Sequence, residues 1–353
     1  MKEAIIKPAG VKEIAKRADV SIGTVDRVIH NRKGVSEETR QKVNAIIAEL
    51  DFRPNKMASL LAKRNLVKIG VIIPKSLKNT DYWSHPSAGI EQAFSELKQF
   101  GLQAAYFHFD LDSKKSFVKA SKQLLSSDVQ GVLIAPSFIE ESLSFTKKLG
   151  EQGIPFVFIN SDLPRQASLS YIGPELYQSG RLAAQMIGLM IKPGESIFIV
   201  NISTELELEH HLLRKEQGFR AYFEESHLSN DIITHNISQI EPNAILRQLK
   251  KALTATPGAR VLFVTNSRVH AVAAALKKQF PGLILVGYDF IEDNIPYLED
   301  GSITFIISQR PKEQGYLGVM ALYKHLFGVE VVEQTTYMPI DIITRENYRF
   351  YKN

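Results

Sequence analysis

The first 50 residues hold three short amphipathic segments whose apolar residues recur at the spacing of one helix face. The apolar positions are Ile14, Ala15 and Ala18, then Val25, Val28 and Ile29, then Val43, Ile46, Ile47 and Leu50. Ser21 and Ser36 stand just before the second and third segments, where a hydroxyl oxygen can accept from the free N–H groups of a helix start. Two helices joined by a tight turn and braced by a third predict a helix-turn-helix domain.

A shorter helical segment is predicted at about 54–63. Pro54 suits the start of a helix and Asn55 suits its cap, and Met57, Leu60 and Leu61 form an apolar face. Two turns of isolated helix are marginal in water, because nucleation is unfavourable and few hydrogen bonds follow it. We therefore predict a hinge that is helical on DNA and disordered without it. The alternative is a plain linker, which the lack of glycine in this segment argues against.

Beyond residue 68, short strand-like runs alternate with helical patterns. The predicted strands are Ile69–Ile73, Gln103–Phe109, Val132–Ala135, Phe156–Asn160, Ile197–Val200, Ile232–Asn236, Val261–Val264, Ile284–Tyr288 and Ile303–Ile307. The predicted helices are Ala88–Phe100, Ser116–Leu125, Leu143–Gln152, Leu176–Ile191, His211–Glu225, Ala244–Ala255 and Val269–Gln279. Apolar strands separated by helices indicate parallel sheets covered on both faces. Because about ten strands are too many for one doubly wound sheet, we predict an α/β core of two Rossmann-like lobes with a cleft between them.

Positive charge is concentrated in the first 65 residues, which hold 14 Lys+Arg and 8 Asp+Glu. The whole chain holds 43 and 38, so the residues after 65 are almost neutral. Phosphate binding requires a local basic patch, and overall pI does not show where the charge lies. A basic, solvated tail is the alternative, and three capped amphipathic segments argue against it. The sequence therefore predicts an all-α DNA-binding head before the α/β core.

These segments resemble the lactose-repressor (LacI/GalR) family of bacterial transcription regulators. The resemblance is carried by VKEIAKRADVS-GTV-RV, VSEETRQKVNAIIAEL-FRPN and KIGVIIP, and it continues more loosely to about residue 345. It implies a helix-turn-helix DNA-binding domain with its hinge over 1–65. It also implies an effector-binding, dimerising core of the periplasmic-binding-protein type over 66–353. The two lobes are then expected at about 67–174 plus 310–334 and at about 175–309 plus 335–353.

The resemblance assigns DNA contacts to the second helix and to the hinge. The matching positions are Ile22, Gly23 and Arg27 for bases, Ser21, Thr24 and His30 for phosphates, and Asn55 and Leu61 in the hinge. An arginine such as Arg27 can fork onto guanine, and Ile22 can touch a thymine methyl group. Leu61 matches the leucine that wedges between central base steps in the minor groove and kinks the duplex.

Two positions of the second helix depart from the family pattern. Gly23 has no side chain, so it contacts no base directly through one. Asp26 stands where the family usually has serine. Near DNA its carboxylate is repelled by phosphate, paired with Arg27 or with an arginine across the turn, or accepts from cytosine N4. The structural pairing is the interpretation that we favour.

Polar and aromatic residues follow the predicted strands, at the edge where open parallel sheets bind ligands. The candidates are Tyr82, Trp83, Asn160 and Asp162 in the first lobe, and Asn266, Asp289 and Gln309 in the second. Carboxylates and amides match hydroxyl groups and a ring covers an apolar sugar face, so this set favours a sugar-like ligand. The resemblance also places Asn266, Asp289 and Gln309 at effector-contacting positions.

Two assignments in the core stay open, and a third is structural rather than functional. The family tends to have an arginine three residues before a Gly-Phe pair, where Lys215 stands beside Arg214, and the sequence does not decide which of them faces the cleft. Trp83, the only tryptophan, either touches ligand or packs at the lobe edge. His108, Asp110 and Asp112 end a strand and are expected to cap the next helix.

Composition and motifs exclude several other classes. The chain has no cysteine, so disulfides and thiolate metal sites are impossible. No nucleophile elbow, Walker A loop or GxGxxG after the first strand occurs, so neither an enzyme nor a cofactor is expected. No apolar run is long enough to span a bilayer and no secretory signal is seen, which predicts a cytoplasmic protein. One cluster of acidic and histidine residues lacks the helical spacing of a metal site and is expected to begin a helix in solvent. It consists of Glu207, Glu209, His210 and His211, and no metal is predicted there.

The expected function is that of a homodimeric transcription regulator, a repressor of carbohydrate-use genes. Each head would bind one half of a near-palindromic operator, and a sugar or sugar phosphate would bind in the cleft. Movement of the lobes would change the separation of the chain exits near Lys68 and so control pairing of the hinges. The alternatives are a purine-like corepressor in place of a sugar, a solute receptor, and a sugar-processing enzyme, which would need a paired acid and base.

Overall fold

The computed structural model describes residues 11–29, 31–50, 52, 66–76, 81–163, 165–203, 210–239, 241–276 and 279–352. The chain divides into two compact units, residues 1–63 and 64–353. The whole of the predicted hinge at about 54–63 lies outside the described residues. No helix in the described ranges is long and apolar enough to cross a lipid bilayer.

The first unit contains the three predicted helices, and the helix-turn-helix prediction is confirmed. Its small core forms where one apolar stripe of each helix meets the others, and Ile14, Val25 and Val43 are fully buried there. Ser36 caps the third helix by accepting from the amide of Thr39 at 3.3 Å. The helices are α1 (Val11–Ala18), α2 (Ile22–Ile29) and α3 (Glu37–Glu49).

The second unit contains two sheets, as the alternating pattern predicted, and each sheet has six strands in the described ranges where about ten strands in all were expected. The first sheet runs β11-β5-β4-β3-β1-β2 and the second runs β12-β10-β9-β8-β6-β7. All paired strands are parallel except β10 and β12. The strands are β1 (Val67–Pro74), β2 (Leu102–Phe109), β3 (Gly131–Ile134), β4 (Phe156–Ile159), β5 (Ser170–Gly173), β6 (Ser196–Ile202), β7 (Ile232–Ile237), β8 (Ala259–Val264), β9 (Ile284–Tyr288), β10 (Phe305–Ser308), β11 (Thr335–Tyr337) and β12 (Asp341–Ile343).

Helices cover both faces of each sheet, and the central strands are buried over their whole length. The core helices are Ser84–Leu97, Lys114–Leu125, Ile139–Glu151, Leu176–Gly188, His210–Glu225, Pro242–Ala255, Val269–Leu276, Ile295–Glu299 and Pro311–Leu326. The helix Pro311–Leu326 and the strand β5 carry no clear periodic signal and were not predicted. The first core helix begins four residues earlier than predicted, because Pro86 is tolerated in a first helical turn.

The lobe boundary near the end of the chain differs from the prediction. The expected division put 335–353 in the second lobe, but β11 pairs in parallel with β5 and completes the first sheet. Only β12, after the chain crosses over, joins the second sheet. Strands of three residues are too short for alternation to reveal their partner, so the sequence offered no signal for this crossing.

Each lobe contains one pair of helices that touch through glycines. A Cβ atom on Gly89 or Gly315 would lie 1.9 or 2.2 Å from a main-chain oxygen of the opposite helix in the first lobe. Gly180 and Gly218 do the same in the second lobe, each at 1.9 Å. These contacts bring the main chains together and set where the helix His210–Glu225 lies relative to the second sheet.

Candidate functional site

The second helix of the head presents an exposed face that holds most of the predicted DNA contacts. Ser21 caps the helix, and its hydroxyl oxygen accepts from the Thr24 amide at 3.1 Å. The side chain of Ile22 is 50% exposed, and Gly23 and Arg27 are exposed beside it. Residues four apart share one side of a helix, so these positions face outward while the opposite stripe fills the core. The exposed isoleucine is consistent with an apolar contact to a partner.

Three predicted DNA contacts lie outside the described residues. They are His30, Asn55 and Leu61, and the assignments made for them stay predictions.

Asp26 forms the kind of pairing that the sequence favoured. Its Oδ2 lies 3.3 Å from Nη1 of Arg32, the arginine across the turn from α2. Arg40 of α3 holds the same turn by donating to the side-chain oxygen of Asn31 at 2.7 Å and to the carbonyl of Arg32 at 3.0 Å. The turn after α2 is therefore fixed by hydrogen bonds from two sides.

The two lobes enclose a cleft of about 730 Å³ at the carboxyl ends of their strands. Asn160 follows β4, Asn266 is two residues beyond β8, Asp289 follows β9 and Gln309 follows β10. Asn160 and Asp289 occupy equivalent positions in the two sheets, and both adopt left-handed backbone angles, with φ of 69° and 71°. The left-handed turn aims each side chain into the cleft rather than along the next loop.

Seven of the nine predicted effector residues line this cleft. They are Tyr82, Trp83, Asn160, Lys215, Asn266, Asp289 and Gln309. Asp162 and Arg214 line a separate depression of about 490 Å³ instead, and the open choice between Arg214 and Lys215 therefore favours Lys215. Successive helix residues point about 100° apart, and Arg214 points to this depression while Lys215 points to the cleft. Asp162 lies beyond the turn at Asn160, which directs the chain away from the cleft.

Of the adjacent pair Arg214 and Lys215, Lys215 is the one that lines the cleft. Its side chain is 4% exposed, and its Nζ donates to the carbonyl of Thr265 at 3.0 Å. The same ammonium lies 3.6 Å from the centre of the Tyr288 ring, a cation–π contact. Arg214 lies over the Tyr177 ring at 5.2 Å. The ammonium of Lys215 is thus a fixed positive charge at the floor of the second lobe.

Asp289 is a buried carboxylate beside that charge. It is 7% exposed, and its Oδ1 has no hydrogen-bond partner among the described residues. Burial raises the pKa of Asp289 to about 6, although the ammonium of Lys215 acts in the opposite direction. A buried acceptor without a donor is unfavourable, so a ligand hydroxyl that reaches Oδ1 would gain a strong hydrogen bond.

A chain of buried hydrogen bonds lies next to Asp289. Gln309 is 2% exposed and donates from Nε2 to the hydroxyl of Ser179 at 3.0 Å. Ser179 in turn donates to the hydroxyl of Tyr288 at 2.9 Å, and Gln314 donates to the carbonyl of Gln309 at 2.7 Å. These bonds hold the Gln309 amide in one orientation at the wall of the cleft.

The first lobe contributes an aromatic corner to the cleft. The Tyr82 hydroxyl donates to the side-chain oxygen of Asn160 at 2.6 Å. Burial, reinforced by the carboxylate of Asp289, raises the pKa of Tyr82 well above its usual value, so the hydroxyl stays protonated. The rings of Tyr82 and Trp83 meet edge to face, with centroids 5.1 Å apart and planes at 89°. Trp83 is buried and also lines the cleft, and its contact with a ligand stays a prediction.

Several cleft residues were not selected from the sequence. They include Asp110, Asp112, Ser137, Phe138, His270, Asp293 and Tyr297. Asp110 and Ser137 follow strands β2 and β3, at the same edge of the sheet as the predicted ligand residues. Asp112 was expected to cap a helix, but Ser113 holds that cap and Asp112 reaches Arg268 of the other lobe at 3.8 Å.

His211 also lines the cleft. Burial and the neighbouring ammonium of Lys215 lower the pKa of His211 to about 3. The imidazole is therefore neutral at physiological pH. Glu207 and Glu209, which stand near it in the sequence, lie outside the described residues.

The helix-turn-helix unit and the two-lobed core define the class of protein. Residues 10–55 match the family model described as bacterial regulatory proteins, lacI family. Residues 69–330 match the model described as periplasmic binding protein domain. The chain belongs to the lacI family of bacterial regulatory proteins, with a core of the periplasmic binding protein type.

Relatives and solved structures agree with this membership. Catabolite control protein A of Staphylococcus epidermidis is 31% identical over 152 residues, which are 43% of this chain and 44% of that protein. The chain spans about half the length of the curated relatives it matches. The crystal structure of a putative LacI transcriptional regulator from Bacteroides fragilis is 30% identical, with a TM-score of 0.76, over 82% of this chain and 100% of that one.

A glucose-galactose binding protein from Geobacillus stearothermophilus shares the fold of the core. It is 18% identical, with a TM-score of 0.71, over 80% of this chain and 99% of that one.

Proposed function

We propose that this protein is a bacterial transcription regulator that binds operator DNA through helix α2 and responds to a small molecule in the cleft. The main observation that supports this proposal is that one chain contains both a lacI-type head with an exposed second helix and a core with a ligand-sized cleft. Ile22 and Arg27 stand on the exposed side of α2, where contact with base edges in a major groove requires them. The excess of basic residues in the first 65 supports binding to phosphate.

A sugar is the effector that the cleft chemistry favours. The Asp289 carboxylate and the amides of Asn266 and Gln309 offer acceptors and donors that match several hydroxyl groups at once. Trp83 offers a ring for an apolar sugar face. A flat purine would be favoured by two parallel aromatic plates, whereas Tyr82 and Trp83 stand perpendicular to each other. The cleft is also lined by the cations Lys75, Lys215 and Arg268, which would bind the phosphate group of a sugar phosphate.

The regulator would act as a cytoplasmic homodimer without catalytic activity. Two heads would bind the halves of a near-palindromic operator, and the hinges would meet at its centre. Effector binding between the lobes would change the separation of the chain exits near Lys68. DNA affinity would then change by as much as the effector's affinity differs between the two lobe arrangements.

The test is selection of bound sequences from a random duplex pool, with and without a panel of monosaccharides and sugar phosphates. We expect a palindromic consensus that is lost or gained with one compound. Titration of the same compound should change the fluorescence of Trp83, the only tryptophan and a cleft residue. If no sequence is enriched at moderate salt, the head does not recognise sequence and the proposal fails.

Replacing Arg27 by alanine is expected to relax base preference at one symmetric pair of operator positions. An arginine that forks onto guanine contributes about 1–3 kcal/mol of discrimination against other bases. Selection with the variant measures this directly. The control is Arg17→Ala, which removes an arginine that is paired with Glu13 and Glu49 on other parts of the head. An equal loss of affinity for all sequences would make Arg27 a phosphate contact instead.

A further inference from the structure

The turn after helix α2 holds an arginine that is fixed at both ends. Its main chain is fixed because the Arg32 amide donates to the carbonyl of Arg27 at 2.8 Å and its carbonyl accepts from Arg40 at 3.0 Å. Its side chain is fixed because Nη1 lies 3.3 Å from the Asp26 carboxylate. The side chain of Arg32 is nevertheless 55% exposed. The ion pair with Asp26 places this exposed guanidinium beside the end of α2.

The position of Asp26 makes this order relevant to DNA. Asp26 lies four residues after Ile22, so it shares one side of α2 with that exposed residue, and its own side chain is 46% exposed. Its carboxylate therefore draws the guanidinium of Arg32 toward the surface that would face DNA. In the described head, Nη1 is the guanidinium nitrogen with a protein hydrogen bond. The Nε and Nη2 groups keep their donors for another acceptor.

We propose that Arg32 binds a DNA phosphate at the rim of the groove, and that Asp26 positions it for that contact. This inference rests on the proposed function and adds a contact residue and a positioning residue to it. When α2 lies in the major groove, the turn at its end lies toward the sugar-phosphate backbone, while the exposed residues of the helix face the bases. An arginine whose Nη1 is already engaged is also poorly suited to a two-pronged contact with guanine, and it retains donors for a phosphate oxygen.

Arg32→Gln in the full-length protein tests the contact. We expect weaker binding to specific and non-specific duplexes alike, with base preference unchanged. The slope of log affinity against log salt should become shallower by about 0.9 for each head, the value of one lost phosphate contact. Arg32→Lys should keep most of that slope, because a lysine ammonium still binds phosphate as a point charge. Arg17→Gln is the matched control for the loss of one positive charge from the head and should change the slope less.

A double-mutant cycle tests the role of Asp26. Asp26→Asn removes a negative charge near DNA in either background, and that general effect cancels in the cycle. If Asp26 acts by positioning Arg32, its substitution should weaken binding by at least about twofold more in the Arg32 background than in the R32Q background. A cycle with no coupling would overturn the positioning role.

Three other results would overturn parts of the proposal. An unchanged salt slope for Arg32→Gln would exclude the phosphate contact. A loss of preference at one pair of operator positions would make Arg32 a base-reading residue. If Asp26→Asn lost base preference at one pair of operator positions both with Arg32 and with R32Q, Asp26 itself would accept a hydrogen bond from a base. All of these are measured against a wild-type protein that selects a sequence, and a wild-type protein that selects none would refute the proposed function instead.

Discussion

Replacing Gly180 by alanine is expected to destabilise the core by about 3 kcal/mol. A Cβ atom at this position would lie 1.9 Å from the main-chain oxygen of Lys215, inside any normal contact distance. The obstacle is a main-chain atom rather than the end of a flexible side chain. The helices Leu176–Gly188 and His210–Glu225 must therefore separate, and the second of them carries Lys215. Urea unfolding of the full-length protein, followed by circular dichroism, measures the loss.

The matched control is Gly150→Ala. Gly150 lies in the helix Ile139–Glu151, and a Cβ atom there would meet nothing within 4 Å. The same substitution should therefore raise stability slightly, by about 0.5–1 kcal/mol, because alanine loses less backbone entropy on folding than glycine does. If both variants behaved alike, the close approach at Gly180 would not be required for stability. We also expect Gly180→Ala to weaken effector binding, since Lys215 and its bond to Thr265 must shift with the helix.

Replacing Asp289 by asparagine is expected to stabilise the unliganded core at neutral pH, by about 3 kcal/mol. Burial raises the pKa of Asp289 to about 6 from an ordinary value of 3.8, and each unit corresponds to about 1.36 kcal/mol. A raised pKa means that the folded protein favours the protonated acid. The contribution of this group is most favourable below pH 3.8 and is lost as the pH rises through 6. Asparagine resembles the protonated acid and avoids that loss.

The measurement is urea unfolding of both proteins between pH 4 and pH 8. The stability difference should grow as the pH rises from 4 to 7 and then level off. Asp293→Asn is the control, because it removes a partly exposed carboxylate from the same loop and should produce a much smaller difference. If the difference in free energy of unfolding did not depend on pH, the pKa of Asp289 would be the same in the folded and unfolded protein. The predicted effect of burial on this carboxylate would then be refuted.

The same variant should lose the effector response. Asp289 supplies the buried oxygen that has no donor among the described residues, and a ligand hydroxyl is the donor that the cleft is proposed to receive. Gain of stability and loss of response would thus arise from one change, as is common where a functional site holds an unsatisfied group. A variant that is more stable and still responds normally would remove Asp289 from the effector site.

Much of the fold was predictable because its signals are local. The three helices of the head follow from signals between residues that are close in the sequence. These signals are the apolar spacing around Ile14, Val25 and Val43 and the hydroxyl caps at Ser21 and Ser36. The strands of the core are runs of apolar residues that helices interrupt, and parallel sheets follow from that order. Elements without a local signal were missed, such as β5 and the three-residue strand β11.

The cleft was predictable as a place and less so as a set of residues. Ligand sites of parallel sheets lie at the carboxyl strand ends, and that rule located Asn160, Asp289 and Gln309. It could not separate Lys215 from Arg214, which are adjacent in the sequence and point to different sides of one helix. Only the packing of that helix against Leu176–Gly188, through Gly180 and Gly218, sets which side faces the cleft.

The sequence by itself determined the two-part organisation, the class of each part and the general position of the ligand cleft. These depend on periodicity, composition and chain order, which are properties of neighbouring residues. The tertiary structure decided the properties that arise between distant residues: the burial that raises the pKa of Asp289, the bond from Lys215 to Thr265, and the pairing of Asp26 with Arg32. Burial and pairing depend on which segments meet in space, and one sequence does not state the distances between them.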